Sequence, residues 1–294
     1  IAGASPLKAL WDVTLPLMAP SILAGGLLVF IGAGSCFGIP AIVGMPGNIE
    51  VLTTRIVSFV YMGDDQGIRD ATTLAVSLMF LANGLLFFMS WLMGRKDYTT
   101  ISGKSTRPVL VELGRWKGLA TFFVGLYAFL SVILPLGSIV MTSFMVSMSK
   151  GIRLDNFGID AWIPVLENSQ YLDCIWRSLG YAFISACVGT LLALFVAYLS
   201  VKTRVPGRSL PDILVMVGGS TPSVVIALAL IIFFSGNYGL NLYSSMWILI
   251  VSYLVKYMTM SVRTIAASLS QVSSSLEEAG LNAGADWLRV CRDI

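Results

Sequence analysis

Residues 178–201 read SLGYAFISACVGTLLALFVAYLSV and contain no charged side chain. A helix of about 20 mostly apolar residues crosses the roughly 30 Å hydrocarbon core of a bilayer. Because a backbone surrounded by lipid has to satisfy its own hydrogen bonds, a run of this kind is expected to be α-helical. The stretch therefore predicts a membrane-spanning helix, and the same criteria identify five others along the chain.

The whole chain is predicted to be an all-α polytopic membrane protein with about six transmembrane helices. Apolar residues make up 56% of its 294 residues and charged residues only 12%, whereas an average soluble domain has roughly 25% charged residues. The mean hydropathy is +0.82. This composition excludes a disordered chain, a secreted disulfide scaffold and an ordinary cytosolic enzyme. The predicted spans are approximately 17–37, 71–94, 118–143, 178–201, 213–235 and 246–266.

Lysine and arginine are divided unequally between the two sides of the predicted spans, twelve on one side and five on the other. The side richer in these residues faces the cytoplasm in membrane proteins, so both ends of this chain are predicted to be cytoplasmic. The outer loops 38–70 and 144–177 are long enough to carry short surface helices. The twelve residues are Lys8, Arg95, Lys96, Lys104, Arg107, Arg115, Lys117, Lys202, Arg204, Arg208, Arg289 and Arg292, and the five are Arg55, Arg69, Lys150, Arg153 and Arg177.

Several kinds of site are missing from the sequence. It has no histidine, so it cannot form a His metal site or use His as a general acid or base. Its four cysteines form no CxxC pair, and no G-x4-G-K-[ST] loop for ATP occurs. We therefore predict no metal, no cofactor and no catalytic centre. The net charge of +3 is too small to indicate nucleic acid, and the first residue, Ile1, leads us to expect a piece of a longer protein.

The two ends of the chain resemble each other. Residues 1–13, IAGASPLKALWDV, align without gaps with residues 282–294, NAGADWLRVCRDI, and five of the thirteen positions are identical. Composition alone would give roughly one identity. The offset indicates that the chain covers slightly more than one period of a tandem repeat, which is a common construction in transporters. The alternative is chance similarity between two basic amphipathic loops.

Both ends also carry parts of one spaced pattern. Glu278-Ala279-Gly280 is followed after three residues by Gly284 and after nine more by Ile294, and Gly3 leads after nine residues to Val13-Thr14-Leu15-Pro16. Joined, they read EAG-x3-G-x9-I-x-LP. This pattern resembles the EAA loop of the membrane subunits of binding-protein-dependent ABC importers, although Gly280 departs from the usual second Ala. The first copy lacks its acidic start.

The resemblance implies partners on both sides of the inner (plasma) membrane. EAA loops dock ATPase subunits on the cytoplasmic side, and a solute-binding protein delivers the solute outside. The chain itself would then be a non-catalytic permease subunit surrounded by membrane lipid, with ATP hydrolysed by a separate subunit. The residues that the resemblance assigns to ATPase docking are Gly3, Val13, Leu15, Pro16, Glu278, Ala279, Gly280, Gly284 and Ile294.

The order of the elements resembles the middle of a fused permease with two halves. Residues 1–94 would end the first half, 95–117 would form a cytoplasmic linker, and 118–294 would begin the second half. Residues 37–56, FGIPAIVGMPGNIEVLTTRI, further resemble ferric-iron uptake permeases. Permeases for polyamines, thiamine, phosphonates and oxyanions share this architecture and stay open as alternatives. An ion-coupled secondary transporter is the alternative from another class, but all sixteen acidic residues lie outside the spans or at their ends.

Two features inside the spans are candidates for the translocation path. The fifth span contains Gly218-Gly219-Ser220-Thr221-Pro222, where proline and glycine predict a kinked or locally unwound helix. Such a site either exposes backbone carbonyls to the path or serves as a small-residue packing face, the interpretation that we favour for the glycines of the first span. Lys256 is the only charge well inside a span. It is either a pathway or gating residue or lies near an aqueous cleft where the sixth span ends early.

The predicted orientation can be tested by labelling single cysteines in intact cells. Cysteines at Lys104 and Arg208 should react only when the reagent reaches the cytoplasm, because both lie on the side that holds twelve basic residues. A cysteine at Arg153 should react from outside. Labelling of the Lys104 position from outside would reverse the predicted orientation.

Overall fold

The computed structural model describes residues 8, 10–94, 113–203, 205–236 and 238–271. Every regular element among these residues is a helix, and two isolated β-bridges join Met145 to Phe157 and Ser235 to Asn241. The predicted all-α fold is confirmed. In chain order the helices are α1 (Leu15–Gly34), α2 (Leu52–Met62), α3 (Asp65–Gly94), α4 (Lys117–Ala128), α5 (Leu134–Ser143), α6 (Ile163–Glu167), α7 (Ser169–Lys202), α8 (Leu210–Ser220), α9 (Ser223–Phe234) and α10 (Met246–Gln271).

Four helices in the described ranges are each long and apolar enough to cross a membrane: Asp65–Phe88, Gly114–Ser143, Ser169–Lys202 and Met246–Gln271. Two bent pairs bring the number to six if each pair forms one span. They are Leu10–Ala19 with Ser21–Gly34, bent by 54°, and Leu210–Ser220 with Ser223–Phe234, bent by 108°. All six predicted stretches are therefore helical, but the first and fifth are bent.

Prolines mark the starts of several helices. Pro16, Pro135, Pro164 and Pro211 each occupy one of the first two positions of a helix, namely α1, α5, α6 and α8. Pro164 and Pro211 follow turns and lose no helical hydrogen bond, because the first N–H groups of a helix have no partner within it. Pro16 and Pro135 instead follow directly on π-helical turns and lie inside longer helical segments. Before Pro135 the backbone forms a π-helical turn, Phe129–Ile133, and α4, this turn and α5 together make one span.

The chain folds into two compact units. One comprises Ile1–Tyr98 and Tyr181–Ile294, and the other comprises Thr99–Gly180. The first unit combines segments from both sides of the predicted linker 95–117. The division into two tandem halves rests on the repeat and on the family resemblance, so it stays a prediction.

The main hydrophobic core of the first unit joins α2, α3 and α9. Its buried side chains are Ile56 from α2, Ala71, Ala75 and Leu78 from α3, and Val224, Val225 and Leu228 from α9. The three α3 residues lie on one helical face, and the short alanine side chains let α9 approach α3 closely. The core therefore packs a helix from the C-terminal part of the chain against two helices from the N-terminal part.

A second, smaller core in the same unit joins α7 to α10. Ala193 and Ala197 of α7 are buried together with Val262 of α10. Nearby, a Cβ atom at Gly189 would lie 3.1 Å from a methyl group of Leu254. The small residue at this position therefore permits the close contact between α7 and α10.

Both predicted outer loops carry a short helix, as their length predicts: α2 lies in 38–70 and α6 in 144–177. In the second unit, the loop after α5 is organised by Asn156, which is fully buried. Its Nδ2 donates to the carbonyls of Ser147 (2.7 Å) and Gly151 (2.8 Å), and its Oδ1 accepts from the N–H of Ser147 at 3.0 Å.

The glycines of α1 do not pack against a neighbour within the part of the chain that the structure describes. A Cβ atom built at any of these positions would meet nothing within 4 Å. The small-residue packing face predicted here is therefore unpartnered among the described residues. These glycines are Gly25, Gly26, Gly32 and Gly34.

Candidate functional site

The helix break predicted in the fifth span is confirmed. α8 ends at Ser220, and Thr221 and Pro222 adopt extended backbone angles before α9 begins. Pro222 has no N–H to continue the helix, and the axes of the two helices differ by 108°. Both residues of the break are buried, with Thr221 only 8% exposed. The fifth stretch is therefore two half-helices joined by a buried, non-helical dipeptide.

The two glycines before the break serve close packing of α8 on α10. A Cβ atom at Gly219 would overlap the side chain of Thr259, and one at Gly218 would lie 3.2 Å from the carbonyl oxygen of Val255. Neither glycine has the positive φ that only glycine readily adopts. Gly218 and Gly219 therefore serve as small residues that allow close packing, which is one of the two sequence interpretations. The break itself lies at Thr221 and Pro222.

Lys256 of α10 supplies hydrogen-bond donors to the end of α8. Its Nζ donates to the carbonyl of Gly219 at 3.2 Å and to that of Thr221 at 3.0 Å. The last carbonyls of a helix have no partner within it, and a positive charge near that end is also favoured by the helix dipole. Lys256 therefore caps α8, a role that neither of the two sequence interpretations included. Its place in a translocation path stays a proposal.

Two further α10 side chains continue this contact along α8. Thr259 Oγ1 donates to the carbonyl of Val215, and Arg263 Nη2 lies 3.8 Å from Asp212 Oδ2. Lys256, Thr259 and Arg263 follow one another at spacings of three and four residues, so they share one face of α10. This face of α10 therefore contacts α8 along most of the length of α8. Arg263 is half-exposed, so its ion pair contributes little on its own.

Asn83 joins the break to α3. Ser220 Oγ donates to Asn83 Oδ1 at 2.7 Å, and Asn83 Nδ2 donates to the carbonyl of Met79 at 3.0 Å. Sequence reasoning missed this residue. The available signal was an amide side chain in the middle of an otherwise apolar span, although its partner lies 137 residues away and no local pattern points to it.

The site offers carbonyl oxygens, hydroxyl groups and one ammonium group. Among the described residues, no group of three or more His, Cys, Asp or Glu side chains could hold a metal ion. The arrangement therefore suits the ordering of a broken helix, because the buried carbonyls at the break accept hydrogen bonds from Lys256.

The predicted ATPase-docking residues are only partly described. Val13 lies in an exposed π-helical turn, Leu10–Thr14, and Leu15 and Pro16 are the first two residues of α1. Pro16 thus lies at the start of the α-helical part of the first span, as the sequence predicts, and directly follows this π-helical turn. The other predicted docking residues lie outside the described residues: Gly3, Glu278, Ala279, Gly280, Gly284 and Ile294.

Known permeases are similar to nearly the whole chain. A Haemophilus influenzae protein named as a ferric transport system permease is 27% identical over 297 residues, which cover 98% of this chain and 45% of that protein. The ferric transport system permease protein of Actinobacillus pleuropneumoniae is 27% identical, covering 95% and 40%. An Fe(3+)-transport system permease protein of H. influenzae is 26% identical, covering 99% and 54%. No protein-family model and no solved structure matches the chain.

The apolar helices and these similarities agree on one class: over nearly its whole length the chain resembles permeases of ABC transporters, which are membrane components of transport systems. Within that class it resembles the ferric transport permeases over 95–99% of its own length. The chain spans about half the length of the curated relatives that it matches.

Replacing Lys256 by Met in the complete permease should destabilise the broken helix. The carbonyls of Gly219 and Thr221 would lose their charged donor, and hydrogen bonds to charged groups contribute about 1.5–3 kcal/mol to stability. We expect the free energy of unfolding in detergent to fall by about that amount for Lys256→Met. Lys256→Arg, which keeps the charge and the donors, should lose less.

Ser268→Ala is the matched control on α10, because Ser268 is exposed and its hydroxyl donates only to the carbonyl of Thr264. Its stability should equal that of the unmodified permease. A Lys256→Met variant as stable as this control would show that Lys256 does not support the break.

Proposed function

We propose that the chain is part of the membrane subunit of an ATP-driven ABC importer, where it helps to form the translocation path for ferric iron delivered by a binding protein outside the membrane. The observation that carries this proposal is the 26–27% identity to ferric transport permeases over 95–99% of the chain. In this proposal the chain hydrolyses nothing itself, and separate ATPase subunits bind on the cytoplasmic side of the inner membrane.

The broken helix suits a translocation path between two permease halves. In the predicted division, α3 ends the first half, whereas α8 and α9 belong to the second. The hydrogen bond between Asn83 and Ser220 and the packing of α9 on α3 therefore support a path that follows this seam. Non-helical backbone at membrane depth is tolerated where it is buried in protein or lines a polar cavity, and the break meets the first of these conditions.

The contact face of α10 suits the transmission of ATPase movement. Residues 278–294, which carry the proposed docking loop, follow α10 in the sequence. Lys256, Thr259 and Arg263 tie α10 to α8. A displacement of the docking loop would thus move α8 together with α10 and reach the break, as expected for a change carried by rigid helices.

Uptake of radiolabelled ferric iron tests this function in cells that express the complete permease with its neighbouring ATPase and binding protein. Uptake should require an ATPase subunit that can hydrolyse ATP and should persist when an uncoupler removes the proton gradient. Uptake that follows the proton gradient and ignores the ATPase would favour the secondary transporter instead. ATP-dependent uptake of a polyamine or an oxyanion, but not of iron, would keep the importer and replace its solute.

Substitutions in the proposed docking loop should uncouple the ATPase while leaving membrane insertion normal. Glu278→Ala would leave a basic partner unpaired at the interface, which typically costs about 2–5 kcal/mol. Gly284→Val would force a side chain into a tight turn at a cost on the order of 1–3 kcal/mol. Gly3→Val should have the same effect in the first repeat. We expect reduced ATPase co-purification and reduced uptake.

Ser274→Ala, just before the pattern, is the control and should behave like the unmodified permease. Full uptake together with full ATPase retention in both glycine variants would remove the docking loop from the proposal.

A further inference from the structure

The ammonium group of Lys256 is held by backbone carbonyls and, among the described residues, by no acidic side chain. The acidic residue near the start of α8, Asp212, pairs with Arg263 instead. Arg263 follows Lys256 by seven residues, so this ion pair lies about 10 Å farther along α10. The environment that compensates the charge of Lys256 is therefore the break itself.

The sequence of the break leaves two carbonyls without partners from their own helix. In a continuous helix the carbonyl of Gly218 would accept from residue 222 and that of Gly219 from residue 223. Pro222 has no N–H, so Gly218 accepts from Thr221 at 3.3 Å instead, and Ser223 begins α9 in another direction. Thr221 is extended, and the first backbone hydrogen bonds of α9 go to the carbonyl of Pro222. The carbonyl oxygens of Gly219 and Thr221 can therefore converge on one cation.

The number and kind of these acceptors suit an ammonium group rather than a metal ion. Ca²⁺ and Mg²⁺ take six or more oxygen ligands at about 2.0–2.6 Å, whereas two carbonyls lie 3.0 and 3.2 Å from Lys256 Nζ. These distances are those of hydrogen bonds, and an alkylammonium group has N–H donors that can point at separate acceptors. The C-terminal end of the α8 dipole also favours a cation.

We infer that the break is a binding site for a primary alkylammonium ion, and that Lys256 fills this site with its own side chain. The break needs the ammonium head, with its charge and its N–H groups, and the covalent link to α10 keeps the site filled. Shortening Lys256 to alanine would remove a group equivalent to propylammonium, so a free propylammonium ion should occupy the space. The site belongs to the fold of α8 and α9 and does not depend on the transported solute.

Unfolding of the complete permease in detergent tests the site with added amines. Lys256→Ala should raise the unfolding equilibrium constant at least about tenfold, because two hydrogen bonds to a charged group are lost. A titration of this variant with propylammonium chloride should lower the constant again, by about tenfold when the amine is at ten times its dissociation constant.

Tetramethylammonium chloride at the same concentration is the control for charge and ionic strength, because this ion has no N–H group. It should leave the unfolding constant of Lys256→Ala unchanged. The unmodified permease and Lys256→Met should not respond to propylammonium, because a lysine or methionine side chain already fills the space. Ser268→Ala, which changes an exposed residue of α10, should not respond either.

A covalent version covers the case in which Lys256→Ala cannot be purified. In a background where Cys36, Cys174, Cys187 and Cys291 are serine, Lys256→Cys can be alkylated in membranes with 2-bromoethylamine. The product is a side chain of the length of lysine that ends in an ammonium group, and it should lower the unfolding constant at least about tenfold relative to the unalkylated variant. Alkylation with 2-bromoethanol, which ends in a neutral hydroxyl group, should recover much less.

The expected result is stabilisation of Lys256→Ala by propylammonium alone, together with recovery by the alkylation that adds an ammonium group. Equal stabilisation by tetramethylammonium would show that charge without N–H groups is enough and would overturn the site. Equal recovery with 2-bromoethanol would show that a neutral donor is enough and would overturn it as well. An unfolding constant that responds to neither propylammonium nor 2-bromoethylamine would show that the break binds no ammonium ion.

Discussion

The rest of the structure depends on how two backbone carbonyls are satisfied where α8 stops inside an apolar part of the chain. A carbonyl without a donor in such surroundings costs several kcal/mol, and Lys256 supplies the donors for Gly219 and Thr221. Because the end of α8 is capped from a neighbouring helix, the chain can leave the direction of α8 by 108°. α9 can then enter the core formed with α2 and α3.

The same contacts explain why small residues surround the break. Lys256 reaches the end of α8 only if α8 and α10 lie close together, and side chains at Gly218 and Gly219 would contact or overlap Val255 and Thr259. A charged side chain inside a span is unfavourable unless it is paired or faces a polar environment. Here the unsatisfied carbonyls of the break and the charge of Lys256 compensate for each other.

Sequence reasoning predicted the parts of the fold that are set by local composition. Six apolar stretches, the break at Thr221-Pro222 and the helix start at Pro16 all follow from residue types within one short window. The partners of the break do not, because Lys256 lies 35 and 37 residues from the carbonyls that it caps, and Asn83 lies 137 residues from Ser220. Such pairings depend on the packing of whole helices, and no spacing in the sequence encodes them.

The two half-helices on either side of the break both contact α10 but are held in different ways, and this gives the break its place in the proposed importer. The polar side chains of α10, which precedes the proposed docking loop in the sequence, bond to α8. α9 also packs on α10, but its buried side chains form the main core with α2 and α3. A displacement of α10 that moves α8 relative to the main core would change the backbone at Thr221 and Pro222, which already lie outside both helices. Residues at the ends of helices can absorb changes in backbone angles without the loss of helical hydrogen bonds. Thr221 and Pro222 are therefore the residues at which a movement that starts on the cytoplasmic side would bend the chain and alter the hydrogen bond between Asn83 and Ser220.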